Sequence, residues 1–391
     1  MYTLVTSSKF FFVEFAEELH KQKKLDKLVI GYPRYKLSNY EINTKKMSTF
    51  PYLHIILMKL NSAIKLLPPT LQEWLSVIDV KSITIFAKLV SSKRTTFVAM
   101  SSMAREILNS SDFSKKQKVI LFRASRHIVE QDKILRKAEI DWEITLQKLS
   151  LSIIKREISE YEQADLIIVP SKICAECFYR NGISQNRFQV IHFPHTLSNY
   201  ANDLKKLKRN RKKVTFVGNV SAQKGIITLL QAWKLLEKNE LILTIIGKSD
   251  HKFMEYLKNR DLVSPNVNFT GHLNNKEIRI QLAQTSLFVM PSIQEGWPMA
   301  VMEAISMQCA TLISDAICKV EELPNHDLNF MFESGNQIQL AQMISDLTSD
   351  STQTYLDELR TKIGDYPERT WTNFVNDFTE IVDKLYKSEK F

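Results

Sequence analysis

Cysteine is scarce in this chain: Cys174, Cys177, Cys309 and Cys318 are the four among 391 residues. They form no disulfide framework. Cys174 and Cys177 make one C-x-x-C, but no second pair completes a zinc site, so both read as ordinary thiols on a helix. No stretch approaches 18 uninterrupted apolar residues, which leaves no candidate for a membrane-spanning helix. Met1 to Lys9 lacks a basic start followed by a long apolar run, so no signal peptide is expected and the cytoplasm is the default compartment. There is no internal repeat, no low-complexity segment and no Asp-x-Asp motif for a metal. Glycine is missing at one informative place, the turn Thr6-Ser7-Ser8-Lys9 after the first apolar run.

What is present describes an ordinary globular protein, with 44% hydrophobic and 25% charged residues. A length of 391 residues exceeds what one core usually serves, so two domains are expected. The net charge of +10 suits anionic partners: nucleotides, nucleic acid or an acidic membrane surface. Nucleic acid is set aside, because no recognised module or aromatic-interleaved basic patch occurs.

Tyr2 to Thr6, Phe10 to Leu19 and Leu28 to Ile30 read as strand, helix and strand, the start of an α/β unit. Pro51 to Leu67 reads as a core-facing helix of four turns; the alternative is a helix on a membrane surface, with Lys59 and Lys65 reaching outward. Ser82 to Val90 and Thr95 to Met100 are further apolar segments. Val119 to Phe122 predicts a strand, followed by Arg123-Ala124-Ser125-Arg126-His127. Polar groups at the C-terminal end of a strand are where α/β sheets put ligand sites. Helix Ile153 to Ala164 and strand Leu166 to Val169 close the first domain, and Phe188 to His192 leads out to Pro194-His195.

Between Ala201 and Lys213 stand seven basic residues and one acid, which reads as a solvated linker able to touch phosphate or acidic lipid. Val214 to Gly218 begins a second α/β domain. Leu241 to Ile246, Val267 to Gly271, Leu287 to Met290, Ala310 to Ile313 and Asn329 to Phe332 supply its further strands. Trp371, Phe374, Phe378, Ile381 and Leu385 fall on one face of a terminal helix over Glu368 to Lys387.

One stretch organises the second half: Pro291-Ser-Ile-Gln-Glu-Gly-Trp-Pro-Met-Ala-Val-Met-Glu-Ala304. Pro298 suits the first position of a helix, where its missing N–H is not needed. Glu295 then lies in the loop and Glu303 near the second helical turn. Eight helical residues span roughly 12 Å, too far for the two carboxylates to share a proton. They suit two ends of one elongated ligand. Gly296 and the free N–H groups of the helix start lie between them and favour an anion such as phosphate. By spacing alone, a strand, turn and helix with two solvated glutamates fits as well.

Glu295-(seven residues)-Glu303 within Pro-Ser…Glu-Gly-Trp-Pro…Glu-Ala resembles the signature of GT-B glycosyltransferases of the large GT4-like, group 1 family. The Ala164-Asp165, apolar strand and Pro170-Ser171 run also resembles that family, as do Glu321-Glu322-Leu323-Pro324 and Gly335-Asn336. The resemblance implies an α/β chain of GT-B architecture, with two Rossmann-like domains facing a cleft and the terminal helix crossing back to the first. Residues 1–200 with 368–391 would form the acceptor-side domain and 214–367 the nucleotide-sugar domain, joined by 201–213. It implies retaining, metal-independent glycosyl transfer from a nucleotide-diphosphate sugar, with no cofactor. Glu303 would hold the ribose and Glu295 the donor sugar; the stretch Gly296, Trp297, Pro298 and Met299, through the amides that follow Glu295, would hold the sugar and diphosphate. Gly218, Asn219, Lys224 and Gly225 would line the diphosphate, with Lys224 as its cation, and His272 would lie near the base. His127 would face the reacting sugar. Catalysis would thus rest on His127, Lys224 and Glu295. The acceptor is a glycan, lipid or small molecule that the residues do not name. Two other expectations stay open: a nucleotide-sugar epimerase of the same fold, and a non-catalytic protein that binds nucleotide sugars or an acidic membrane surface, the latter at the inner face of the membrane.

Overall fold

The computed structural model describes all residues except 51, 61–63, 65–66, 111–116, 145–148, 196–203, 205–206, 237–239, 325, 363–367 and 388–391. In the N-terminal half the strands are β1 (Tyr2–Thr6), β2 (Leu25–Ile30), β3 (Met47–Thr49), β4 (Thr96–Met100), β5 (Val119–Phe122), β6 (Leu166–Val169) and β7 (Phe188–Val190). Between them run α1 (Phe12–Lys21), α2 (Tyr52–Lys59), α3 (Pro69–Val90), α4 (Arg105–Leu108), α5 (Ile128–Asp141), α6 (Leu151–Gln163) and α7 (Lys172–Arg180). The C-terminal half holds β8 (Asn210–Val217), α8 (Ile226–Lys234), β9 (Ile242–Ile246), α9 (His251–Asn259), β10 (Val267–Gly271), α10 (Asn275–Ala283), β11 (Thr285–Met290), α11 (Met299–Ser306), β12 (Ala310–Ser314), β13 (Asn329–Phe332), α12 (Gln337–Leu347) and α13 (Asp350–Lys362). Helix α14 (Trp371–Lys387) is the last element among the described residues.

Two parallel sheets result, in the orders β3-β2-β1-β4-β5-β6-β7 and β10-β9-β8-β11-β12-β13. Their central strands are apolar on both faces: β5 and β6 are buried throughout, as is β11. This is the signature of parallel strands covered by helices on either side. In each sheet the order reverses beside the first strand, next to β1 and next to β8. Ligands of open α/β sheets bind outside the strand ends at such a point.

Helix α14 returns to the first domain. Phe374 and Phe378 meet Phe15 of α1 edge-on, with ring centroids 5.2 and 5.0 Å apart. Such aromatic pairs contribute roughly 0.5–1.5 kcal/mol beyond their buried area. Across the cleft, Tyr256 donates to the Trp142 carbonyl at 2.6 Å, Arg260 pairs with Glu143 at 2.7 Å, and the Lys172 N–H donates to Glu322 at 2.7 Å.

Some elements differ from the sequence reading. Ser82 to Val90 is the second half of one 22-residue helix, α3, which a run of Ile, Val and Thr disguised. Of the Pro51 to Leu67 helix, Tyr52–Lys59 is helical and part of the remainder lies outside the described residues. Residues 210–213, expected at the end of the linker, are the first half of β8. Their charges are held locally: Arg211 by Asp357 at 2.8 Å, Lys212 by Glu240 at 2.8 Å and Lys213 by Gln281 at 2.6 Å. Arg209 just before them donates to the Thr285 carbonyl at 2.7 Å. The linker reading is therefore corrected for residues 210–213, which belong to the second sheet. Of the rest of the run, 201–203 and 205–206 lie outside the described residues.

Candidate functional site

The site grows from two loops at the C-terminal ends of β8 and β11. Residues 218–225 leave β8 and turn tightly, Lys224 N–H to Ser221 O at 3.2 Å and Gly225 N–H to Ala222 O at 2.8 Å. Gly225 has φ +71°, and a Cβ there would stand 1.8 Å from the Pro291 carbonyl oxygen. Only glycine lets this loop lie against the β11 loop. Ile293 N–H donates to the Gln223 carbonyl at 3.0 Å and fixes the two loops together. Lys224 and Glu295, 71 residues apart, thereby meet as a partly buried ion pair.

Helix α11 follows. Pro298 is its N-cap residue rather than its first residue, and the Met299 N–H is taken by the Trp297 carbonyl at 3.1 Å. That narrows the anion cradle to the Ala300 and Val301 N–H groups, whose i−4 carbonyls lie outside the helix. Glu303 sits in the second turn. Burial pushes its carboxyl pKa upward, and the Arg279 charge acts the other way. A half-buried carboxylate of this kind is favoured in its charged form by hydroxyl donors.

Trp297 packs against the N-terminal domain. Its ring stacks on His192, with centroids 4.4 Å apart and planes 21° apart. One face of the indole is thereby covered by the N-terminal domain. Gly296 is closed against the other domain: a Cβ there would stand 2.0 Å from the Ala124 carbonyl oxygen. Ser125 donates to Gln294 at 3.2 Å, and Arg126 to the Ala316 carbonyl at 2.7 Å. The polar run after β5 is thus largely a domain contact. His272 and Asn219 are exposed, and Gly218 is half-buried at the end of β8.

His127 is packed within the N-terminal domain. It is buried, and its Nδ1 accepts the Val129 N–H at 3.3 Å, capping α5. Tyr161 and Phe178 box its ring at 4.9 and 5.0 Å. Burial, helped by the Arg123 charge, pushes its pKa down to about 4, so the ring is neutral near pH 7 and carries its proton on Nε2. Its hydrogen bond and both ring contacts stay within the N-terminal domain. Nearby Arg123 is paired with Glu157 at 3.0 Å.

Reading the sequence did not link His192, Arg279 or Gln294 to this loop; Cys174, read as an ordinary thiol, is buried with its sulfur 3.7 Å from the Gly296 carbonyl oxygen. No local pattern marks them, because each acts through a partner far away in the chain. Among the described residues, no group of three or more His, Cys, Asp or Glu is placed to hold a metal ion.

Residues 201–369 match the family model of glycosyl transferases group 1. The chain is 26% identical over 190 residues to an uncharacterized 41.2 kDa protein in the cps region of Klebsiella pneumoniae, covering 45% of this chain and 51% of that protein. It is 28% identical over 197 residues to an uncharacterized glycosyltransferase of Haemophilus influenzae, covering 48% and 54%. The chain spans about half the length of these curated relatives. Anabaena HepE, solved in complex with UDP and glucose, superposes with a TM-score of 0.63 at 13% identity over 98% of this chain and 99% of that one. Sucrose-phosphate synthase from Thermosynechococcus elongatus gives 0.63 at 13% identity over 99% of each chain. At such identity the likeness speaks for the fold, which is GT-B.

Proposed function

We propose that this protein is a glycosyltransferase that takes a sugar from a nucleotide-diphosphate donor bound at the β8 and β11 loops. The observation that carries the reading is the meeting of Lys224 and Glu295 beside the start of α11, with Glu303 one turn inside it. Glu303 receives the ribose hydroxyls, and the Lys224 ammonium with the α11 start receives the diphosphate. As the glycosidic bond breaks, charge grows on the leaving diphosphate, and these fixed groups stabilise it without a metal. Glu295 holds the donor sugar and keeps Lys224 in place until the phosphate competes for it. The retaining stereochemistry and GT4 kinship rest on the resemblance of the Glu295 to Glu303 stretch. His127, if it reaches the sugar, does so only as an Nε2–H donor.

A relative named capsular polysaccharide biosynthesis glycosyltransferase CapM, from Staphylococcus aureus, is 22% identical over half of this chain, and one structural neighbour was solved with a glycerol-linked GlcNAc. These names support a glycan acceptor. Contact with an acidic membrane is a second part of the reading. No helix among the described residues is long and apolar enough to cross a membrane. Leu71, Trp74, Ile85 and Leu89 of α3 and Ile56 and Leu60 beside them are exposed, with Lys59 and Lys81 on the same helices. Apolar side chains interleaved with lysines suit the surface of an anionic bilayer on the cytoplasmic side.

A thermal-shift screen with uridine-, guanosine- and adenosine-diphosphate sugars tests the central reading. A ligand at 100 times its Kd adds about 2.7 kcal/mol of stability. One base is expected to raise Tm by several degrees. No shift with any of them contradicts the assignment.

A further inference from the structure

His192 is the first polar residue after β7, where the chain leaves the N-terminal domain. Three parts of the fold meet on it. Its Nδ1–H donates to the Pro170 carbonyl at 2.9 Å, which anchors the ring to the end of β6. Its own carbonyl accepts from Arg369 Nε at 2.9 Å, on the segment that carries α14 back to the first domain. Its face is covered by Trp297 of the loop between Glu295 and α11. Trp297 is buried, yet its indole N–H has no partner among the described residues. Burial of an orphaned donor is unfavourable, so the indole is held in place by ring contact and domain closure, not by a hydrogen bond of its own.

We propose that His192 is a positioning residue: by stacking on Trp297 it couples closure of the two domains to the geometry of the loop that receives the donor. The claim deepens the donor-site reading above and rests on it for the word donor. The mechanism needs only local contacts. Trp297 sits between Gly296, wedged against Ala124, and Pro298, the N-cap of α11. Displacing the indole releases the peptide groups on both sides of it, including the Trp297 carbonyl that holds the Met299 N–H. Conversely, a ligand that orders this loop presents Trp297 to His192 and favours the closed arrangement. Two events joined through one contact must influence each other reciprocally.

Spin labels at Ile140→Cys on α5 and Ile338→Cys on α12 report the distance between domains; both positions are exposed, at 77% and 71%, and the native thiols are buried. Pulsed dipolar distances are recorded with and without uridine diphosphate, alongside Tm. The otherwise native protein should give a narrow distribution that uridine diphosphate narrows further. His192→Ala, and His192→Asn, which keeps a donor for Pro170 but loses the ring, should give a broad distribution with longer distances. Uridine diphosphate should still raise their Tm but fail to restore the narrow distance. His192→Phe, which keeps the ring and loses the hydrogen bond, should behave as the native protein does. The proposal is overturned if His192→Phe matches His192→Ala, or if both ring-deleted variants keep the native distribution. If uridine diphosphate does not bind the native protein, the label distances without nucleotide still decide whether the stack holds the domains, while the donor reading is judged by the nucleotide-sugar screen.

Discussion

The two sheets present opposite chemistry to the cleft between them. At the C-terminal sheet, Lys224 and Glu295 stand half-buried on loops that leave adjacent strands, and Glu303 stands half-buried on α11. At the N-terminal sheet the polar groups are already engaged: Arg123 faces Glu157, Arg126 holds the Ala316 carbonyl of the second domain, and His127 is packed between Tyr161 and Phe178. The β1 turn lacks glycine and is closed by Thr6, whose hydroxyl donates to the Ser8 carbonyl at 2.9 Å. On the reading proposed above, the charged groups that meet the donor all come from the second domain.

The largest expected effect comes from the glycines that let the loops approach. Gly225→Ala puts a Cβ into the Pro291 carbonyl at a positive φ, and Gly296→Ala puts one into Ala124 across the cleft. Strain at such a φ costs roughly 1–3 kcal/mol and overpacking about as much again. Gly225→Ala should lower stability by ~2–6 kcal/mol in denaturant titration. Gly296→Ala should spare each domain's core and abolish most activity, because the contact it breaks lies between domains. Equal and small effects of both would show that the two edges do not meet as described.

The next effects separate the charged groups. Glu303→Ala removes charge-assisted bonds of ~1.5–3 kcal/mol each, so free nucleoside diphosphate should bind roughly 10²-fold more weakly. Lys224→Ala should weaken it less and slow turnover more, because its charge matters most as the bond breaks. Calorimetry beside steady-state rates checks both.

A smaller effect is expected at His127. Its folded pKa of about 4 lies below the ordinary 6.5, so the unfolded chain binds a proton that the folded one refuses. The stability from burying the neutral ring is fully present above pH 6.5 and is lost as pH falls toward 4. His127→Asn should flatten the fall of Tm over that window. If His127 also reaches the sugar, transfer drops with little change in Tm at pH 7; a large loss of Tm with normal specific activity assigns it to packing alone. The smallest effect concerns the exposed face of α3: Trp74→Ala should weaken flotation with anionic vesicles several-fold, and salt should weaken it further, since exposed charges are screened over ~8 Å at physiological ionic strength. Equal flotation of both proteins would remove α3 from the membrane reading.

The sequence announced the second domain more clearly than the first, for physical reasons. β11 and β12 are buried along their whole length, β11 carries the apolar run Leu287 to Met290, and Glu295 and Glu303 follow it after a short connection. The start of β8 was hidden because Arg211, Lys212 and Lys213 look like a solvated linker. Their partners, Asp357, Glu240 and Gln281, are 28 to 146 residues away. His192 and Trp297 were illegible as a pair for the same reason. Periodicity reports which face of an element is buried, but not what covers it.

The central claim is that one bound donor spans the three charged groups, with its sugar at Glu295 and its nucleotide at Glu303. Titration calorimetry of Glu295→Ala, with the nucleoside diphosphate and with the corresponding sugar donor picked out by the thermal screen, tests it most directly. The account predicts near-native affinity for the free nucleoside diphosphate and a clear loss for the intact donor. Unchanged affinity for both ligands in a folded Glu295→Ala protein would contradict it.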